Sequence, residues 1–168
     1  GAVEVEKLNY NFKPSKNISA RVWALGAGID DFLDADKAKV QTTRFAKRNP
    51  LTHRANSEEQ GAGGTIKFND IIILQVGYTT DNGNVAGAGN GIGGNYDVGT
   101  QLNVEAGGFT IGATYVHSEG SSGTDFSHKT GSTNASFFTG DVSSDSFGIQ
   151  ASTKLGKKTK IGGWYGLT

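Results

Sequence analysis

The stretch Tyr96-Asp97-Val98-Gly99-Thr100-Gln101-Leu102-Asn103-Val104-Glu105 decides the fold. Tyr96, Val98, Thr100, Leu102 and Val104 form one phase of an alternation, and Asp97, Gly99, Gln101, Asn103 and Glu105 form the other. Side chains of a strand point to opposite faces in turn, so one face here is apolar and the other polar. The polar phase is mostly glycine and amide. A solvent-facing phase of a soluble sandwich would usually carry more Lys and Glu; small uncharged polar residues suit a wet interior wall.

The same period runs outward in both directions. Leu8, Tyr10 and Phe12 alternate with Asn9, Asn11 and Lys13. Phe109, Ile111, Ala113 and Tyr115 alternate mainly with Thr110, Gly112 and Thr114. Phe147, Ile149, Ala151 and Leu155 share a phase against Gly148, Gln150, Ser152 and Lys154. The pattern predicts eight strands, over about 2–13, 17–27, 62–69, 71–80, 94–105, 108–118, 145–155 and 159–168. Only Ile29–Val40 admits a short helix. The longest unbroken apolar run is Ile71–Leu74, far short of the roughly 20 residues of a membrane helix. A membrane crossing would therefore use strands, and segments of about ten residues suit a tilted barrel span.

Short connections at 14–16, 69–70, 106–108 and 156–158 alternate with long ones at 28–61, 81–93 and 119–144. An antiparallel meander then puts every tight turn at one end and every long loop at the other, as in outer-membrane barrels. The expected fold is all-β, an antiparallel meander belonging to a transmembrane β-barrel, with residues 1–168 as one barrel domain or a fragment of one. Eight strands closed on themselves leave an interior that side chains fill. A water-filled channel would need further strands, from a longer chain or another copy, because open strand edges are untenable in lipid.

Composition removes several functions. Sixteen basic and sixteen acidic residues cancel, so no global charge points to nucleic acid. With no cysteine, disulfides and thiolate chemistry are excluded. The 26 glycines are about twice the usual share. A start at Gly-Ala with no methionine reads as a chain lacking its natural beginning. Gly89 to Gly94 contain a formal G-x-G-x-x-G, but a loop precedes it and a strand follows, the reverse of a dinucleotide site. His53, His117 and His128 lack the close spacing of metal ligands, so no metal or cofactor is expected. No nucleophile, paired-carboxylate or phosphate-loop pattern supports an enzyme.

The charged residues of the first long loop are the candidate constriction. Asp30, Asp31 and Asp34 precede Arg44, Lys47 and Arg48. Folded into a lumen, the loop would oppose cations and carboxylates across a passage and set ion selectivity. The expected lumen wall is Asn9, Asn11, Arg21, Gln75, Asp97, Gln101, Asn103, Gln150 and Ser152. Trp23, Tyr78, Tyr115, Trp164 and Tyr165 fall toward strand ends, where aromatic girdles meet the membrane interface.

Taken in order, several segments resemble the cyanobacterial branch of the carbohydrate-selective porin family, often described as iron-uptake porins. They are Leu8-Asn9-Tyr10-Asn11-Phe12, Arg44-Phe45, Arg48-Asn49-Pro50, Gly61-Ala62-Gly63, Gly77-Tyr78, Asn90-Gly91-Ile92-Gly93-Gly94-Asn95-Tyr96, Gln101-Leu102, Tyr115-Val116-His117-Ser118, Ser144 to Ser152 and Gly162-Gly163-Trp164. The resemblance implies a homotrimeric porin of about sixteen strands in the outer membrane of a Gram-negative-type bacterium, a cyanobacterium. Its partners would be outer-membrane lipid, ions and small solutes, with inorganic iron or carbohydrate among the cargo. The family's N-terminal surface-layer-homology region and coiled coil are not in this sequence, which corresponds to the middle of the barrel. Passive diffusion through a water-filled barrel is the leading expectation. A structural barrel with a plugged lumen and a soluble β-sandwich binding module are the alternatives.

Overall fold

The computed structural model describes residues 4–34, 48–53, 59–87, 90–120 and 142–168. Within them the chain is all-β: eight antiparallel strands in one sheet, in sequence order. They are β1 (Leu8–Ser15), β2 (Ile18–Leu25), β3 (Gln60–Lys67), β4 (Ile72–Thr80), β5 (Tyr96–Ala106), β6 (Phe109–Gly120), β7 (Val142–Leu155) and β8 (Thr159–Leu167). A 3-10 turn, Ile29–Asp31, and a helical turn α1, Pro50–His53, complete the regular structure among the described residues. Of the Ile29–Val40 stretch, residues 29–34 are described, and that single 3-10 turn is the helical structure among them.

Strand ends differ from the sequence pattern where alternation is weak. The first strand starts at Leu8 rather than near residue 2, because Glu4 to Lys7 offer only Val5 as an apolar residue. The seventh starts at Val142, three residues early, in a serine-rich run whose polarity hides its period. Tight turns close one end of the sheet. Gly107 and Gly108 both take positive φ, at 59° and 85°, the backbone a type I′ hairpin turn demands. Asn69 Oδ1 accepts from the amides of Ile71 and Ile72, at 2.8 and 2.7 Å, and so bends the β3–β4 turn.

Register converts the alternation into two continuous faces. One cross-strand row reads Ile18, Ile66, Leu74, Leu102, Ala113, Ile149, Tyr165. The next toward the long loops reads Phe12, Ala20, Gly64, Val76, Thr100, Tyr115, Phe147, Leu167. Neither row contains a charge. The opposite face carries Asn11, Arg21, Gln75, Gln101, Asn103, Thr114, Gln150 and Ser152. Burial is inverted relative to a soluble protein: Leu102 is 43% and Ile149 58% exposed, while Gln101 is 0% and Gln150 6%. No second layer covers the apolar face among the described residues.

Candidate functional site

What buries the polar face is the chain between β2 and β3. Beyond Leu25 it turns back over the sheet, and Ile29–Asp34 and Asn49–His53 lie against it. Phe32 packs with Trp23 and Ala27, and Leu33 packs with Ile29 and Val116. The seat is made by glycines on the polar phase. A Cβ at Gly63 would overlap both Phe32 Cδ1 and the Val76 carbonyl oxygen, one at Gly77 would stand 2.6 Å from Phe32 Cβ, and one at Gly99 2.7 Å from Leu33 Cδ1. Gly148 gives the same clearance to Asn49, at 2.5 Å. Glycine inside a strand weakens it and so marks a close approach. Gly63→Ala should push Phe32 off its seat and cost about 1–3 kcal/mol, the usual size of overpacking. Chemical denaturation is the check, and a stability unchanged from wild type would count against the seat.

Amide side chains from three strands then grip the segment. Asp34 N donates to Gln75 Oε1 at 3.1 Å, and Gln75 Nε2 donates to Asp34 Oδ2 at 2.7 Å. The Asp34 carbonyl accepts from Gln101 Nε2 at 2.5 Å and from Gln150 Nε2 at 3.1 Å. Asn103 Nδ2 donates to Gln75 Oε1 at 2.8 Å, and Thr114 Oγ1 donates to Gln101 Oε1 at 2.9 Å. That amide oxygen also lies 2.8 Å from His53 Nε2. An amide oxygen only accepts, so Nε2 carries the proton and Nδ1 accepts from Thr52 Oγ1 at 2.8 Å. Burial, the largest cause, lowers the His53 pKa to about 4, with the Arg48 charge adding to it and the Gln101 bond opposing it.

The predicted wall residues Asn9, Asn11, Arg21, Gln75, Asp97, Gln101, Asn103, Gln150 and Ser152 all share the polar face by register. Several of them meet the inserted segment, Arg21 among them through its bond to the Asp31 carbonyl. Gln75, Gln101, Asn103 and Gln150 are spent on the inserted segment or on one another. Asn11 and Arg21 line an open cleft of about 520 Å³ with Lys13, Asp31, Asp34 and Gln75. A second cleft of about 400 Å³, sharing Asp34, Thr65 and Gln75 with the first, is bordered by Lys67, Glu105 and Lys160.

Of the six candidate constriction charges, Asp30, Asp31, Asp34 and Arg48 lie among the described residues. Arg48 is in direct ion contact with Asp30. Asp31 accepts from Gly28 N at 3.0 Å and meets Lys7 Nζ at 3.5 Å. Asp34 is held by Gln75. The carboxylates thus fasten the segment, since one loop brings both signs to the same place. Arg44 and Lys47 lie outside the described residues. Two girdle assignments change. Trp23 pairs with Asn9 and Gly61, and Trp164 with Gln150, so both project from the polar face. Strand-end position alone does not specify the face.

On the apolar face, charged side chains return only near the long loops. There Tyr78 stacks on Tyr96 at 5.8 Å, and Tyr96 meets the His117 ring at 6.1 Å. His117 Nδ1 lies 2.9 Å from Asp145 Oδ1 and its Nε2 lies 3.2 Å from Glu119 Oε1. Tyr115 donates to Asp145 Oδ1 at 2.6 Å.

Fold and site together define an all-β antiparallel meander with an inverted polarity and a segment seated on its polar face. No protein-family model and no solved structure matches the chain. An uncharacterized protein of Synechocystis sp. is similar, 30% identical over 177 residues that take in 98% of this chain and 32% of the relative. The chain thus spans about a third of that protein's length.

Proposed function

We propose that this chain forms part of the wall of an outer-membrane β-barrel through which ions and small solutes diffuse passively, with Ile29–Asp34 and Asn49–His53, seated on the polar face, narrowing the passage. The observation that carries the reading is the inversion of the sheet: an apolar face left bare, with charge only at its long-loop end, and a polar face covered by the chain's own Ile29–Asp34 and Asn49–His53. In water the bare face would be a large aggregation-prone patch; in lipid it is the favourable arrangement.

Dimensions agree. From Val98 to Ala106 the apolar phase of β5 contains no charge. At about 3.4 Å per residue this is roughly 27 Å along the strand. A tilt of about 40° shortens it to roughly 21 Å, close to the apolar band of about 25 Å in such barrels. The Tyr78, Tyr96 and Tyr115 rings stand where that band gives way to polar groups, the place of an interfacial aromatic girdle. On the other face, the Thr79, Ser118 and Ser152 hydroxyls are buried without a protein partner among the described residues, which suits a wall wetted by water. The first and last strands, β1 and β8, each present an edge that lipid does not tolerate, so the wall is completed by more strands than these eight. A relative about three times as long is compatible with that.

The grip on Asp34 and His53 favours a second reading, a barrel whose lumen is plugged and whose role is structural. Planar-bilayer recording separates the two. A diffusion pore gives stable conductance steps, and Arg48→Glu should enlarge them by setting a carboxylate against Asp30 and loosening the segment. The exchange Asp30→Arg with Arg48→Asp should restore the smaller step. A protein inserted in the bilayer that never conducts refutes the diffusion reading.

A further inference from the structure

We propose that the apolar face carries a specific site for a lipid with an ammonium-bearing headgroup; this rests on the lipid-facing reading given above. A groove of about 340 Å³ opens on that face between Tyr78 and Tyr115, walled by Val76, Val98 and Thr100 and floored by Ala62, Gly77 and Gly99. Its volume lies at the lower end of ligand pockets and its lining is almost wholly apolar, as an alkyl chain requires. Small residues make the groove. Ala62 and Thr100 leave the sheet surface low beside two tyrosines, whereas the next row toward the tight turns carries Ile66, Leu74 and Leu102.

The head of the groove sets the chemistry of the occupant. Tyr78 walls the groove and shares a row with Val98, His117 and Asp145; Tyr115 stands one row nearer the tight turns, beside Thr100 and Phe147, and reaches Asp145 through its hydroxyl. Tyr78 stacks on Tyr96, and its hydroxyl donates to the Ile92 carbonyl, which fixes the ring. Tyr115 donates to Asp145, and Asp145 and Glu119 flank His117. The row of Tyr78, His117 and Asp145, with Tyr96 and Glu119 in the row beyond it, therefore offers aromatic rings and two carboxylates against one imidazole. No lysine or arginine is paired into the apolar face on any strand. Aromatic faces and carboxylates attract an ammonium group, and the same carboxylates repel a headgroup with only a phosphate charge. Chain in the groove and ammonium at the row is the geometry of an amine-bearing phospholipid lying against the wall.

The test uses the protein in phosphatidylglycerol vesicles holding a trace of phosphatidylethanolamine or phosphatidylglycerol with a photoreactive group in the acyl chain, and maps the label by mass spectrometry. The ethanolamine probe should label Val76–Tyr78 and Val98–Thr100 about two- to fivefold more than the glycerol probe, the size of an exposed cation–π contact. Ala62→Phe with Thr100→Phe should fill the groove and abolish the excess. Glu119→Gln with Asp145→Asn, at exposed positions that leave the fold intact, should equalise the probes while labelling of the groove persists. Labelling spread evenly over Leu102, Ile111 and Ile149 by both probes overturns the site and leaves the membrane reading standing. A groove shielded from both probes while those three residues are labelled overturns it in favour of a docked protein copy. Absence of label anywhere on the apolar face overturns the membrane reading itself.

Discussion

Ile149→Arg should lower folding stability in a bilayer by about 2–4 kcal/mol, the cost of a cation on the lipid face near the midplane of a transmembrane barrel. Ile149 sits in the row Leu102, Ala113, Ile149, Tyr165, with uncharged rows on both sides. The control is Thr110→Arg, one strand away on the polar face, where the side chain borders the cleft with Glu105. That substitution should change stability by no more than about 0.5 kcal/mol, as surface changes away from special features do. Urea titration of protein refolded into bilayers gives both values. The sign of the comparison is the useful part. If the apolar face met water, arginine at 149 would be harmless and would improve solubility. Equal stability of wild type and Ile149→Arg in lipid would therefore remove the basis for placing these strands in a membrane.

The faces of the sheet were legible in the sequence because a strand's side-chain direction is a local property of period two. Tyr96 to Glu105 alone assigns ten residues to their faces, and register with β4 and β6 only extends the assignment. The alternation of short and long connections was legible for the same reason, since a meander needs no long-range information beyond strand order. The seat of the inserted segment was written in the sequence less openly. Gly61, Gly63, Gly77, Gly99 and Gly148 fall on the polar phase of their strands, where their lack of a side chain costs stability unless something packs close. Read only as permissive backbone or wall, they do not reveal Phe32, Leu33 and Asn49 as the groups they receive. The charges were the least legible. Asp30 and Arg48 are 18 positions apart along an irregular loop, and no periodicity says whether such residues face each other across water or touch. Trp23 and Trp164 show the same limit from the other side: their positions near strand ends are local facts, but β2 and β8 turn them toward Arg21 and Gln150.

Acidification should release the inserted segment, and His53 is the group that makes it do so. Its imidazole is buried and neutral, donating to Gln101 and accepting from Thr52. Its pKa is lowered by burial from 6.5 to about 4. A chain with the segment unseated takes up a proton near pH 6.5, whereas the seated one resists until about pH 4. The open form thus binds more protons throughout that window. Seating stability is fully present above pH 6.5 and falls as the pH drops toward 4, with no further loss from this group below that. The total is on the order of 3 kcal/mol. Hydrogen exchange at the amides of Phe32, Leu33 and His53, each bonded to a carbonyl of its own turn, should accelerate by about two orders of magnitude between pH 7 and pH 4, after correction for intrinsic rates. His53→Gln keeps a donor for Gln101 and removes the titration, so its exchange should be flat across the window. If the variant loses protection on acidification as steeply as wild type, another group controls the segment. A matching rise in conductance between pH 6.5 and 4, absent in His53→Gln, would tie the same proton to the width of the passage.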